Sequence, residues 1–190
     1  MEFSGKKVTV VGTGISGIGA VGLLNAVGAE VVLYDGNEKL KIEDIEKKLG
    51  TYKAEIVLGE LTKELTDSSD LLVISPGVPI DSPVVKAFEA AGVPVWGEVE
   101  LAYAFDKGKV LAITGTNGKT TTTALVGQIV GAYHKDTFVV GNIGNPYTTE
   151  VLKSNKDSYT VAEISSFQLE TVHEFHPLVS AILNICLLYT

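Results

Sequence analysis

Short apolar runs alternate with stretches of helical spacing through the first half of this chain. Residues 8–11 form an apolar β run that ends at Gly12, and residues 15–27 carry apolar positions at helical spacing, closed by Gly28. Residues 31–34 read as a second strand ended by Asp35-Gly36. Residues 39–49 read as a surface helix whose apolar face is Leu40, Ile42, Ile45 and Leu49. Short strands are predicted at 56–58 and, more strongly, at 71–74, where Ser75-Pro76-Gly77 stops the run. A helix over 82–91 has Pro83 near its start, and 93–96 leads into another strand. Asp106-Lys107-Gly108-Lys109 reads as a domain junction, after which strands are predicted at 110–114, 138–140, 159–164 and 179–184. Strands that alternate with helices imply parallel pairing through right-handed crossovers, so the fold class is α/β.

The pattern changes character at Ile113-Thr114-Gly115-Thr116-Asn117-Gly118-Lys119-Thr120-Thr121. An apolar strand precedes it and a helix follows it. Strand, glycine loop and helix together aim backbone N–H groups and a helix N-terminus at one point, which suits a phosphate. Lys119 adds a mobile cation, and the Thr120 hydroxyl can ligand the Mg²⁺ that accompanies ATP. The usual loop places a glycine five residues before Gly118, where this chain has Ile113, so the loop is the shorter Gly-x-x-Gly-Lys-Thr. The competing reading is a threonine-rich turn that caps a helix and leaves Lys119 solvated.

A second glycine loop, Gly12-Thr13-Gly14-Ile15-Ser16-Gly17, lies between the first strand and the first helix, and Asp35 ends the next strand. In a dinucleotide site the glycines admit a pyrophosphate to the helix N-terminus and the acid takes a ribose hydroxyl. The same backbone physics serves NAD or another nucleotide diphosphate, and a tight turn without a ligand also fits. Ser75-Pro76-Gly77 follows a strand, at the edge where open α/β sheets bind ligands, although an ordinary turn has the same composition.

Composition narrows the classes. The 190 residues suffice for one large or two small domains, and a 45% hydrophobic fraction permits a substantial core. No apolar run approaches the roughly 20 residues that span a bilayer, and no signal-peptide pattern opens the chain. A lone cysteine, Cys186, excludes an internal disulfide and fits a reducing, cytoplasmic setting. The net charge of −8 argues against sequence-independent nucleic-acid binding. His134, His173 and His176 read as surface or capping groups, the latter two flanking a helix end before Pro177.

Together, the loop at 114–122, Gly141-Asn142-Ile143-Gly144 after a strand, and Glu163-Ile164-Ser165-Ser166-Phe167-Gln168-Leu169-Glu170 resemble the Mur ligases over residues 6 to about 185. The Ser-Ser-Phe-Gln-Leu-Glu string is similar to that of the family's D-glutamate-adding member. The resemblance implies a Rossmann-like domain over 1–106 that binds a UDP-sugar and not NAD. It also implies an incomplete P-loop ATPase-type domain over 107–190. The implied reaction has ATP phosphorylate the carboxylate of UDP-N-acetylmuramoyl-L-alanine, after which the amine of D-glutamate attacks the acyl phosphate. Gly115, Thr116, Asn117, Gly118, Lys119, Thr120 and Thr121 would then bind ATP, with Lys119 on the β- and γ-phosphates. Thr120 and Glu163 would hold Mg²⁺. Gly14, Ile15, Ser16, Asp35, Gly77, Asn142, Ser165 and Gln168 would contact the UDP-substrate. A cytoplasmic protein is expected, monomeric at full length.

The likeness stops after Ile185. Where the family implies Thr-Glu-Asp-His, with a metal-binding histidine, this chain reads Cys186-Leu187-Leu188-Tyr189-Thr190. The family's downstream lysine and third domain are also missing. The chain is therefore expected to be a C-terminally shortened ligase, inactive by itself, with apolar surface exposed around 179–183 and extended by Leu187 and Leu188. Whether the last five residues are native stays open. So do three alternatives: another Mur ligase or folylpolyglutamate-type synthase, an NAD-dependent oxidoreductase read from the first loop alone, and a non-catalytic nucleotide-binding module.

Overall fold

The computed structural model describes residues 3–186. Its first unit is a parallel sheet built from β1 (Lys7–Val11), β2 (Glu30–Asp35), β3 (Glu55–Leu58), β4 (Leu71–Ile74) and β5 (Val95–Gly97), in the order β3-β2-β1-β4-β5. The central strands β1 and β4 are buried almost throughout, because helices cover both faces, and that is why they read as continuous apolar runs. One face packs against α1 (Ile15–Ala26), α2 (Ile42–Leu49) and α5 (Glu98–Tyr103). The other packs against α3 (Lys63–Ser68) and α4 (Pro83–Ala90) through Leu65, Val85 and Phe88. The chain winds outward from β1 to β3 and then returns to β4 beside β1. That reversal opens a crevice between the loops after β1 and β4, where a ligand is expected in such sheets.

The second unit is a parallel sheet of β6 (Lys109–Thr114), β7 (Thr137–Gly141), β8 (Tyr159–Glu163) and β9 (Val179–Ile182), in the order β7-β8-β6-β9. Helix α6 (Lys119–Tyr133) follows β6. The short α7 (Tyr147–Glu150) continues into a 3₁₀ turn at Val151–Lys153, and α8 (Ser166–Leu169) follows β8.

The two sheets share one core. Val8 and Leu24 of the first unit belong to the same buried cluster as Val110, Val140, Tyr147 and Ile164 of the second. Helix α1 meets α7 closely, since a Cβ on Gly19 would lie 2.7 Å from Thr148 Oγ1. Three acids fasten the seam. Glu98 accepts from Thr148 N at 2.9 Å and Thr148 Oγ1 at 3.1 Å. Glu100 accepts the backbone N–H groups of His173, Glu174 and Phe175. Asp106 accepts from Tyr147 OH, Thr160 Oγ1 and Gly108 N. A hydrogen bond of this kind stabilises by about 0.5–1.5 kcal/mol, and by more where the acceptor is ionised.

The pattern-based reading differs from the structure at several points. Helix α2 starts at Ile42 rather than residue 39, which leaves Leu40 before the helix. Strand β5 starts at Val95 rather than residue 93, because Pro94 has no N–H to give the ladder. No helix runs up to Pro177: α8 ends at Leu169, and the N–H groups at 173–175 turn to Glu100 instead of to helical carbonyls. Strand β9 ends at Ile182, two residues early. Helices α3, α5 and α7 were not anticipated. The exposed apolar surface was: Val179 is 52% and Ile182 66% accessible, while Leu187 and Leu188 lie outside the described residues.

Candidate functional site

The first crevice takes its shape from glycines. A Cβ on Gly17 would overlap the carbonyl oxygen of Gly12, so α1 can begin this close to β1 only with glycine there. Gly14 differs, since no atom lies within 4 Å of a Cβ placed on it and its φ of −79° suits any residue. Gly14 is the N-cap of α1 and supplies no side-chain cap, so the first N–H groups of the helix, at Ile15, Ser16 and Gly17, point outward. Ile15 is exposed, and Ser16 is half-buried. The Asp35 carboxylate accepts from Thr13 Oγ1 at 3.0 Å, from Thr13 N at 3.3 Å and from Asn37 N at 3.1 Å. Three of its roughly four acceptor positions are used, which fixes its orientation and leaves one for a ligand hydroxyl.

Gly77 lies across the crevice with open space around it. In the same turn, the Ser75 hydroxyl is buried with no protein partner, beside Gly12 and Gly17. Helix α8 faces this turn: a cavity of about 560 Å³ lies between residues 76–81 and the pair Phe167 and Glu170. The second unit therefore walls one side of the turn that follows β4. Ser165 and Gln168 also form a reciprocal cap. Ser165 Oγ accepts from Gln168 N at 3.3 Å, and Gln168 Oε1 accepts from Ser165 N at 2.9 Å. Part of each side chain's bonding capacity is thus spent in fixing α8.

The loop after β6 holds Gly115 at φ +138° and Gly118 at φ +83°, conformations that favour glycine. Helix α6 begins at Lys119 without a side-chain cap, so the N–H groups of Lys119, Thr120 and Thr121 form a cluster of donors at a positive helix end. Lys119 Nζ donates to Gly115 O at 2.8 Å and Thr116 O at 3.3 Å, which holds the cation across the loop. Thr120 is exposed at the same turn. The seven predicted ATP-binding residues do not act alike. Thr116 N and Asn117 N are donated to Asn184, at 3.2 and 2.9 Å, so the free donors begin at Gly118.

Glu163 ends β8, in register with Ile113 of β6 and Gly141 of β7. Its side chain is 1% exposed. Asn142 Nδ2 donates to Oε1 at 3.0 Å, and Oε2 is buried without a partner. An orphaned buried carboxylate oxygen is costly unless a cation satisfies it. A hard oxygen donor at a strand end beside a phosphate loop fits Mg²⁺, which takes one or two carboxylates and completes its shell with phosphate and water. Among the described residues no group of three or more His, Cys, Asp or Glu is clustered for a metal.

Asn142 was expected beside the UDP-substrate, but the bond observed for its side chain is to Glu163. Asn184 and the orienting role of Asn142 were missed in the sequence. Asn184 lay hidden inside a predicted strand, and the only signal was an amide following an apolar β run.

A Rossmann-like crevice fused to a glycine loop, lysine and helix N-terminus defines an α/β protein of two parallel sheets, each with a glycine loop leading into a helix. Residues 6–97 match the model of the Mur ligase MurD-like N-terminal domain, and residues 113–186 match that of the Mur ligase middle domain. The chain belongs to the Mur ligase family. It is 71% identical over 185 residues to a UDP-N-acetylmuramoylalanine--D-glutamate ligase of Lachnospira eligens, covering 97% of this chain and 41% of that protein. It is 59% identical to the protein of that name from Lachnoclostridium phytofermentans, again covering 97% and 41%. The chain thus spans about two fifths of the length of the curated relatives it matches. Two solved structures share the fold at 18% identity. One is the UDP-N-acetylmuramate:L-alanyl-gamma-D-glutamyl-meso-diaminopimelate ligase from Neisseria meningitides (TM-score 0.57, 96% of this chain and 61% of that one). The other is a murein peptide ligase from Psychrobacter arcticus (TM-score 0.54, 95% and 43%).

Proposed function

We infer that this chain is the nucleotide-binding part of an ATP-dependent ligase that joins D-glutamate to UDP-N-acetylmuramoyl-L-alanine for peptidoglycan synthesis in the cytoplasm. The observation that carries this reading is Glu163: a buried carboxylate with one oriented and one orphaned oxygen, on the strand next to the one that feeds the phosphate loop. The names and identities of the relatives support the choice of substrates.

The chemistry asks for such a site. A carboxylate is a poor electrophile until phosphorylation gives it a leaving group. Transfer of the γ-phosphoryl group from ATP supplies one, and attack by the D-glutamate amine on the acyl phosphate releases phosphate and forms the amide. Substrate carboxylate and ATP are both anionic, so their approach needs positive charge. Lys119 and the amides of residues 118–121 offer it to the β- and γ-phosphates. Thr120 and Glu163 would hold Mg²⁺, which offsets charge on the transferring group. The UDP moiety lies at the α1 N-terminus against Gly14, Ile15 and Ser16, with Asp35 and Gly77 at its flanks. Ser165, Gln168 and Asn142 border the path from that crevice toward the loop. On this reading ATP and the UDP-sugar bind in different units.

The test is a titration of the chain with Mg·ATP, with and without UDP-N-acetylmuramoyl-L-alanine, and of Glu163→Gln in parallel. Binding of both ligands to the unsubstituted chain, with the Mg²⁺ contribution to ATP affinity lost in Glu163→Gln, supports the reading. ATP binding indifferent to Mg²⁺ in both proteins would refute the metal assignment.

A further inference from the structure

We propose that Asn184 is a positioning residue for the phosphate loop, fixing its outer half so that the inner amides face the nucleotide. This inference rests on the reading of residues 115–121 as an ATP site. The parallel pairing of β6 and β9 does not stop where β9 ends. Leu183 N donates to Thr114 O at 2.9 Å, and Thr116 N donates to Asn184 O at 3.2 Å, so the ladder runs on into the loop. The Asn184 side chain then takes over. Its Oδ1 accepts from Asn117 N at 2.9 Å while its Nδ2 donates to Asn117 O at 2.9 Å. A side-chain amide here imitates a peptide group and adds one more rung. The donor and acceptor of Asn117 face it at once, which fixes which way round the amide sits.

Two further contacts close the clamp. Cys186 N donates to Thr116 Oγ1 at 3.0 Å. A Cβ on Gly115 would sit 3.1 Å from both the N and the O of Asn184, a tight contact, and the φ of +138° there also favours glycine. The amides of 116 and 117 are thereby turned toward β9, and Gly118 enters its left-handed conformation with α6 beginning at once. Loop preorganisation of this kind favours a bound anion because the donors need no rearrangement. An alanine at 184 removes both side-chain bonds but leaves the backbone rung in place.

The experiment uses the 190-residue chain, Mg·ATP titration and amide hydrogen exchange. Asn184→Ala is expected to weaken Mg·ATP about tenfold, the effect of two modest hydrogen bonds. It should also speed exchange at the Asn117 amide and leave UDP-N-acetylmuramoyl-L-alanine affinity unchanged. Asn184→Asp, which keeps an acceptor for Asn117 N, should restore slow exchange at that amide. Unchanged Mg·ATP affinity in Asn184→Ala, with the Asn117 amide released, would overturn the proposal. If the unsubstituted chain takes the UDP ligand but no Mg·ATP, the ATP-site reading fails and this inference falls with it, while the exchange data still report whether the clamp exists.

Discussion

Asn142 donates twice to Glu163, its backbone N–H to the Glu163 carbonyl at 3.0 Å and its side-chain Nδ2 to Oε1 at 3.0 Å, which leaves the other carboxylate oxygen buried and unpaired. The asymmetry orients the carboxylate. Gly141 makes the approach possible, because a Cβ there would overlap the carbonyl oxygen of Glu163. Asn142→Ala should free the carboxylate to rotate and so weaken the Mg²⁺-dependent part of ATP binding, with a smaller loss than Glu163→Gln. Titrations with Mg·ATP and with ATP in EDTA measure that part directly. Equal Mg²⁺ dependence in Asn142→Ala and the unsubstituted chain would show that the bond is incidental.

Lys119 bridges the Gly115 and Thr116 carbonyls and lies at the start of α6, where a phosphate would meet it. In the whole ligase, Lys119→Ala should lower turnover by roughly 10²-fold or more, the usual consequence of losing a charge partner of the transition state. Phosphate release under saturating substrates measures this, and near-normal turnover would refute the role.

Gly14 and Gly17 separate ligand effects from fold effects. Gly14→Val places its side chain in open space at the α1 N-terminus, so the thermal midpoint should hold while the UDP ligand is lost. Gly17→Ala drives a methyl into the Gly12 carbonyl and should lower stability whether or not ligand is present. Melting curves with and without ligand distinguish the two. Retained UDP-ligand binding in Gly14→Val would place the site elsewhere.

Burial holds the Glu98 carboxyl above its ordinary 4.5, against the opposing pull of the Thr148 donors and the Tyr147 backbone amide. In the folded chain the group keeps its proton at pH values where the unfolded chain has released it. The stability it contributes is complete below 4.5 and is lost as pH rises through the raised value. Glu98→Gln keeps an acceptor for Thr148 and cannot ionise. Urea midpoints measured upward from pH 4.5 should therefore decline less in Glu98→Gln. Parallel declines in the two proteins would show that Glu98 carries none of the pH dependence.

Strands β1, β2, β4 and β8 were legible because they are buried along most of their length and so appear as apolar runs; β9, exposed at three of its four residues, was still found through Val179 and Ile182. Both glycine loops were legible because the backbone geometry of a phosphate cradle restricts the residue types allowed. Helix α5 was not. Glu98 and Glu100 look like surface charges, yet they are buried at 3% and 1% accessibility, with donors 50 and 73–75 residues away in the chain. Helices α3 and α7 are too short for a period to emerge from four to six residues. The clamp at Asn184 was hidden for a related reason: its partner lies 67 residues away, and its chemistry is a side chain standing in for a backbone.

The central claim is that the first crevice serves a uridine diphosphate sugar and the second loop serves ATP. Calorimetric titration of the chain with UDP-N-acetylmuramoyl-L-alanine and, separately, with NADH tests it most directly. The account predicts saturable binding of the UDP ligand, abolished by Gly14→Val, and much weaker or no binding of NADH. Tighter binding of NADH than of the UDP ligand would contradict it.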